Sequence, residues 1–306
     1  MNTTTTTNQR RRLFTRLPGN LPPLEITKRD LRILELVQDY RFLNTEQIQA
    51  LVGGSARNVR ERLFRLFQHA YLDRPLHQRE LRNEGYRLMI YALAPKGARF
   101  IASALGHLAP ISRHLGEDNR TAKRFHLAHT LMVSQFRACL NLACSGDANV
   151  KLASWCVPVK SLARIRIGRF RAAVIPDASF SLERSDGQQA HFFLEADRGT
   201  MTKDRFLRKL QAYWYLSRKE GVPDIPNAFR VLTITNSRRR TENLRIAAKT
   251  ADTKRKGSRK YLFATQDAYD LKHPEALLGH IWRTPANPEL CSLLEGTSLN
   301  SGGERD

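Results

Sequence analysis

Two short runs near the middle of the chain alternate apolar with polar residues, a period that places successive side chains on opposite faces of a β-strand. The first run covers residues 174–182 and includes Asp177; the second covers residues 192–194 and is closed by Glu195. The polar stretch between them, residues 183–188, predicts a hairpin loop. A hairpin of this kind would bring Asp177 and Glu195 to adjacent strand ends. Neighbouring carboxylates supply the oxygen ligands that hard divalent cations prefer.

Helices and strands alternate on both sides of this hairpin. Near-continuous apolar runs at residues 229–235 and 260–265 indicate strands that are buried on both faces. The remaining predicted elements are helices over residues 119–144, 202–219 and 237–250, and strands over residues 151–158, 171–182 and 190–196. This order predicts an α/β protein (α+β overall) whose second half is a three-layer α/β core.

The hairpin resembles the core of the PD-(D/E)XK nucleases. Pro176 and Asp177 match the first element of that motif, and the run from Glu195 to Asp197 matches the second. The resemblance implies that Asp177 and Glu195 are catalytic. It also implies that Asp177, Glu195 and Asp197 hold Mg²⁺ or Mn²⁺. The alternative interpretation is a turn at the start of a strand and an unrelated glutamate.

The lysine of the motif is missing, because Asp197 occupies its position. Lys203 or Lys209 of the following helix could replace it, and Lys209 is the third catalytic candidate. This departure favours a nuclease-like domain that is inactive and positions DNA or a partner. The alternative is a metal-dependent DNA endonuclease or nicking enzyme that uses Asp177 and Glu195.

The first hundred residues predict a different domain. Helices are expected after capping residues at Thr27, at Asn44 or Thr45, and at Ser55. Two strands, residues 71–76 and 87–93, then flank a polar loop, and a fourth helix begins at Pro95. This order resembles a winged helix-turn-helix domain whose third helix is the recognition helix.

The charge of the chain favours double-stranded DNA as the partner, because 51 Lys and Arg face 29 Asp and Glu, a net charge of +22. Arginine can form bidentate hydrogen bonds with guanine or with phosphate. The alternative is a solvated basic face on a winged helix that docks a protein. The candidate DNA contacts are Arg57, Asn58, Arg60, Arg62 and Arg65 of the third helix, and Arg79, Arg82 and Arg87 of the wing.

The sequence divides into five segments. These are a disordered basic tail (1–24), the winged helix domain (25–105), a linker (106–120), the nuclease-like domain (121–285) and a flexible tail (286–306). No apolar run has the length of a membrane span, the start lacks the apolar part of a signal peptide, and the four cysteines lack metal-site spacing. We therefore expect a cytoplasmic protein, associated with the nucleoid or a plasmid, with no membrane partner.

Residues 25–270 together resemble the replication-relaxation family of bacterial plasmids and mobile elements. The most specific shared run is Glu195 to Thr200, which reads Glu-Ala-Asp-Arg-Gly-Thr. The resemblance implies a role in replication control or mobilisation, with plasmid replication or mobilisation proteins as further partners. A protein-interaction adaptor is another alternative. A relaxase with a tyrosine nucleophile, at Tyr213 or Tyr215, is disfavoured because the sequence has no His-x-His pair.

Overall fold

The computed structural model describes residues 13–17, 21–83, 85–86, 88–106, 115–158, 161–167, 170–219, 222, 225–251 and 257–295. It divides into two compact units, Met1–Leu131 and Met132–Asp306. Among the described residues, helices and sheets are both abundant, which confirms the predicted mixed α/β class. No helix in the described part of the chain is both long and apolar enough to cross a membrane.

The first unit combines short helices with a small antiparallel sheet of strand order β1-β3-β2. Its elements are α1 (Lys28–Tyr40), β1 (Leu43–Asn44), α2 (Thr45–Val52), α3 (Ala56–Gln68), β2 (Leu72–Asp73), α4 (Gln78–Asn83), β3 (Ile90–Leu93), α5 (Pro95–Ala104) and α6 (Leu115–Arg120). The long helix α7 (Arg124–Gly146) begins in this unit and ends in the second.

Local capping explains where the first helices begin. The Thr27 hydroxyl accepts a hydrogen bond from the Asp30 amide at 3.3 Å, and the Asp30 carboxylate accepts one from the Thr27 amide at 2.7 Å. This reciprocal pair is a capping box in which Asp30 stands where glutamate or glutamine is usual, and it confirms the predicted capping residue Thr27. Asn44 caps α2 and Ser55 caps α3 in the same region. The inward face of α3 is formed by Val59, Leu63, Leu66 and Phe67, which are all buried.

The segment between β2 and β3 contains the helix α4, where the sequence predicts a polar loop. Gln78 at the start of α4 explains the difference. Its side-chain amide donates to the Ile90 carbonyl at 3.1 Å and accepts from the Ile90 amide at 2.9 Å. These two bonds satisfy the backbone of β3 from within the segment, and Leu81 buries the inner face of the helix.

Described parts of the predicted tail and linker make defined contacts in the first unit. Arg16 donates to the Phe67 and Leu72 carbonyls at 2.9 and 3.1 Å. Asn119, from the predicted linker, is buried and accepts a hydrogen bond from Arg41 at 3.1 Å. Residues 1–12, 18–20 and 107–114 lie outside the described residues.

The second unit is built on a five-stranded mixed sheet of order β10-β9-β8-β7-β4. Strands β8, β9 and β10 are parallel, whereas β4 and β7 are antiparallel to their neighbours. A separate antiparallel pair forms from β5 and β6. The elements are β4 (Val150–Cys156), β5 (Ala163–Ile167), β6 (Phe170–Val174), β7 (Ala178–Arg184), β8 (Gln189–Asp197), α8 (Lys203–Leu216), β9 (Arg230–Thr235), α9 (Arg238–Ala248) and β10 (Tyr261–Thr265).

Helices cover both faces of this sheet. On one face, Phe136 and Leu140 of α7 join the cluster that contains Phe180 and Leu232. On the other, α8 and α9 pack in a cluster that contains Phe193, Val231 and Phe263. This burial on both faces is the reason that β9 and β10 read as nearly continuous apolar runs.

The predicted strand over residues 171–182 is two strands, β6 and β7. Pro176 lies between them, and proline has no amide hydrogen to donate to a sheet. The hairpin from β7 to β8 is present, with its turn at residues 185–188. Part of the predicted flexible tail is packed. Cys291 pairs with Trp282 in an isolated antiparallel β-bridge, and Leu293 is fully buried.

Candidate functional site

The β7–β8 hairpin brings Asp177 beside Glu195. Ala178 is paired with Leu194 in the sheet, and the Asp177 amide donates to the Leu194 carbonyl at 2.9 Å. The Asp177 carboxylate accepts a hydrogen bond from the Ala196 amide at 2.7 Å. Because side chains alternate along a strand, Glu195 and Asp197 lie on the face that α8 and α9 cover, whereas Leu194 and Ala196 lie on the α7 face.

Two side chains of α8 hold the Glu195 carboxylate, which is only 4% exposed. The Lys209 ammonium donates to one oxygen, and the Tyr213 hydroxyl donates to the other at 2.6 Å. Lys209 and Tyr213 are four residues apart and therefore project from the same side of the helix. The structure thus brings together the three catalytic candidates, Asp177, Glu195 and Lys209, and adds Tyr213. We call these four residues the Glu195 cluster.

Burial sets the ionisation of this cluster. It raises the pKa of Glu195 to about 7; the charge of Lys209 opposes the rise, and that of Asp177 adds to it. Burial and the Glu195 carboxylate raise the pKa of Tyr213 well above its ordinary value. Tyr213 is therefore a protonated donor that holds a carboxylate. Tyr215, the other tyrosine considered in the sequence, is 40% exposed.

Asp197 binds a different helix. Its carboxylate accepts hydrogen bonds from Arg240 of α9 at 3.2 and 2.8 Å, and from the Gly199 amide at 2.6 Å. Arg240 also donates to the Met201 carbonyl at 2.6 Å. Asp197 is 6% exposed, so this is a buried ion pair between β8 and α9. It fixes the loop that leads into α8.

The predicted metal ligands do not form a set that fits Mg²⁺ or Mn²⁺ as they are arranged. Such ions take several oxygen ligands. Here Glu195 holds an ammonium and a hydroxyl, Asp197 holds a guanidinium, and Asp177 accepts from a backbone amide. Among the described residues, no group of three His, Cys, Asp or Glu side chains is placed to hold a metal ion.

The predicted DNA contacts of α3 fall into two groups. Arg57, Asn58, Arg60 and Arg65 are exposed. Arg62 instead binds Asp30 of α1, donating from Nε at 2.6 Å and from Nη2, and it donates to the Glu25 carbonyl at 2.5 Å.

Asp30 is almost fully buried, with a side chain 1% exposed. Burial alone would raise its pKa, but hydrogen bonds from Arg62 and Thr27 and the charge of Arg62 outweigh it and lower the pKa. The guanidinium of Arg62 is therefore occupied in joining α3 to α1.

Of the three predicted DNA contacts in the wing, two lie in the described part of the chain. Arg79 is exposed and lies over the Phe14 ring at 4.6 Å, and Arg82 is half-buried. Arg87 lies outside the described residues.

A cleft of about 880 Å³ lies beside α3 in the first unit. Arg60 and Arg65 line it from the helix, and Arg82 lines it from α4. Arg74 also lines it, with its guanidinium 4.2 Å from the centre of the Phe67 ring and donating to the Tyr91 hydroxyl at 3.1 Å. Two glutamates, Glu46 and Glu61, also line the cleft, so its lining is basic on balance, and Phe64 and Tyr91 supply its aromatic surface.

Comparison with known families assigns the chain. Residues 34–229, more than half of the chain, match the family described as replication-relaxation. The chain belongs to the replication-relaxation family. The predicted resemblance is thus confirmed, and the family suggests a role in replication or mobilisation. Neither a curated protein nor a solved structure matches the chain.

In this replication-relaxation protein, the matched span contains the whole Glu195 cluster but ends before Arg240. Sequence reasoning considered Tyr213 only as a disfavoured nucleophile, and it missed Arg74 and Arg240. The spacing of Tyr213, four residues after Lys209, was the available signal for its role beside Glu195. Arg74 and Arg240 gave no local signal, because each finds its partners across the fold.

Proposed function

We propose that this replication-relaxation protein binds double-stranded DNA through its first unit and acts in plasmid or mobile-element replication control or mobilisation. The order of α1, α2, α3 and the small sheet supports comparison with a winged helix domain in which α3 is the recognition helix. The exposed arginine face of α3, with Arg57, Arg60 and Arg65, carries the proposal.

Electrostatics supports duplex DNA as the ligand. The chain has a net charge of +22, and the first turn of α3 contains no acidic residue. The amino-terminal end of a helix is itself partly positive, so Arg57 adds to a favourable field for phosphate. Release of counterions from DNA would supply much of the affinity and make it depend on salt.

The double variant Arg57→Ala/Arg60→Ala should bind duplex DNA more weakly. Loss of a base contact costs about 1–3 kcal/mol, and loss of a phosphate contact lowers the slope of log affinity against log salt by about 0.9. Fluorescence anisotropy with labelled duplex, between about 50 and 200 mM salt, measures both quantities.

A variant with the same loss of charge elsewhere is the control for this experiment. Arg238→Ala/Arg239→Ala removes two exposed arginines from α9 in the second unit. Equal losses of affinity in the two double variants would contradict α3 as the main DNA contact. Absence of duplex binding by the wild-type chain would favour the protein-interaction adaptor.

We further propose that the second unit is a nuclease-like fold that positions DNA or a partner without cleaving. The sheet and its flanking helices support comparison with the PD-(D/E)XK core. The partners of Glu195 and Asp197 support inactivity, since Lys209 and Arg240 take the place of a cation beside these carboxylates. One observation favours an active metal-dependent nuclease as the alternative: Asp177, Glu195 and Lys209 meet at one strand end.

Supercoiled plasmid incubated with the protein and Mg²⁺ or Mn²⁺ should stay intact, because Glu195 already holds Lys209 and Tyr213, and Asp197 already holds Arg240. Agarose electrophoresis detects nicked and linear forms. Metal-dependent cleavage that is lost in both Asp177→Ala and Glu195→Gln would establish the nuclease. Loss in Lys209→Ala as well would assign the motif lysine to α8. Circular dichroism checks that each variant is folded.

A further inference from the structure

The antiparallel pair β5–β6, Ala163–Ile167 with Phe170–Val174, stands apart from the main sheet of the second unit. We call it the basic ribbon. Its register pairs Ala163 with Val174 and Ile165 with Ala172.

One face of the ribbon is apolar and covered. Ile165 is 3% exposed and Val174 is fully buried. Both belong to the cluster that contains Phe206 and Leu210 of α8. The ribbon is therefore held against a helix, and a ligand on its other face would not have to order it first.

The other face of the ribbon carries arginine. Arg164 and Arg166 alternate with the buried Ile165 and are exposed, and the register places Arg171 across from Arg166. No acidic residue occurs between Asp147 and Asp177 in the sequence, although that segment contains six Lys and Arg. The exposed face thus combines positive charge with the absence of nearby acids in its own segment of sequence.

We propose that the basic ribbon is a second contact for double-stranded DNA, separate from α3; this rests on the proposed DNA-binding function. The major groove, about 12 Å wide, admits a two-stranded ribbon. A strand of five residues is about 17 Å long, which suits contact with several successive base pairs. Arginines that alternate along such a strand all face the duplex, where each can bind phosphate or the edge of guanine.

The full-length double variant Arg164→Ala/Arg166→Ala tests the ribbon with a labelled duplex of mixed sequence. Losing two phosphate contacts should lower the salt slope by about 2 and the affinity by roughly 10- to 30-fold near physiological salt. The conservative variant Arg164→Lys/Arg166→Lys should keep most of the slope, because a lysine still neutralises a phosphate.

The matched control is Lys151→Ala/Arg184→Ala, which removes the same charge from exposed positions on β4 and β7 of the same unit. It should change affinity by less than about twofold. All three tryptophans lie in the second unit, so their fluorescence reports whether each variant of this unit is folded.

The outcomes distinguish failure of the ribbon contact from failure of the proposed DNA-binding function. Wild-type affinity and slope in the ribbon variant, together with weak binding by Arg57→Ala/Arg60→Ala, would overturn the ribbon contact and leave the proposed function standing. Equal losses in the ribbon variant and its control would also overturn it, since charge alone would explain both. If the ribbon variant binds duplex as the wild type does, the partner of the ribbon is an acidic protein, or the ribbon has no partner. A wild-type chain that binds no duplex would overturn both proposals.

Discussion

Lys209→Met should lower the free energy of unfolding of the second unit by about 3–5 kcal/mol near pH 8, because it leaves the Glu195 carboxylate buried without its counter-ion. Methionine replaces most of the apolar stem of the lysine, so the lost charge dominates the effect. Urea unfolding followed by tryptophan fluorescence measures it, since every tryptophan lies in this unit.

The loss of unfolding free energy should depend on pH, and the raised pKa of Glu195 determines the sign of that dependence. The pKa is about 7 in the folded protein against an ordinary 4.5, so the folded state binds more protons between these values. Stability from this group is fully present below about pH 4.5 and is lost as pH rises through about 7, by roughly 3 kcal/mol in total. Glu195→Gln should flatten this dependence.

Lys209→Met should therefore destabilise much less near pH 5, where Glu195 is protonated in the variant. Lys203→Met is the matched control, because Lys203 is an exposed lysine at the start of the same helix, and it should change stability by less than about 0.5 kcal/mol. A loss for Lys209→Met that is the same near pH 5 and pH 8 would contradict the ion pair.

Arg62→Ala should destabilise the first unit by about 3–5 kcal/mol near pH 7, because Asp30 would stay buried without its partner. The lowered pKa of Asp30 sets the sign of the pH dependence in the wild type. The stabilisation is present above the ordinary value of 3.8 and is lost as pH falls through the lower, folded value.

Circular dichroism measures this effect, and tryptophan fluorescence follows the second unit separately, since the first unit contains no tryptophan. Arg60→Ala on the same helix is the control and should cost less than about 0.5 kcal/mol. If Arg62→Ala left stability intact but weakened DNA binding, the original prediction of Arg62 as a DNA contact would be favoured over its structural role.

Local sequence patterns were sufficient for most elements of this protein. The capping residues Thr27, Asn44 and Ser55 mark the starts of α1, α2 and α3 because they satisfy backbone amides a few residues away. Near-continuous apolar runs likewise predicted the strands β9 and β10. The order of these elements gave the α/β class, and a run of six residues pointed to the family. Each of these sequence signals lies within a few helical turns or within one strand.

Other features depended on which distant residues the fold brings together. Arg62 and Asp30 are 32 residues apart, and Arg240 and Asp197 are 43 apart. An arginine on a polar helix face looks the same in sequence whether it meets DNA, water or a buried acid. Periodicity determines which face of an element is covered, but the chemistry of a buried carboxylate depends on the element that covers it. The packing of α8 against β8 decided that Glu195 holds Lys209 and Tyr213, and the packing of α9 decided that Asp197 holds Arg240.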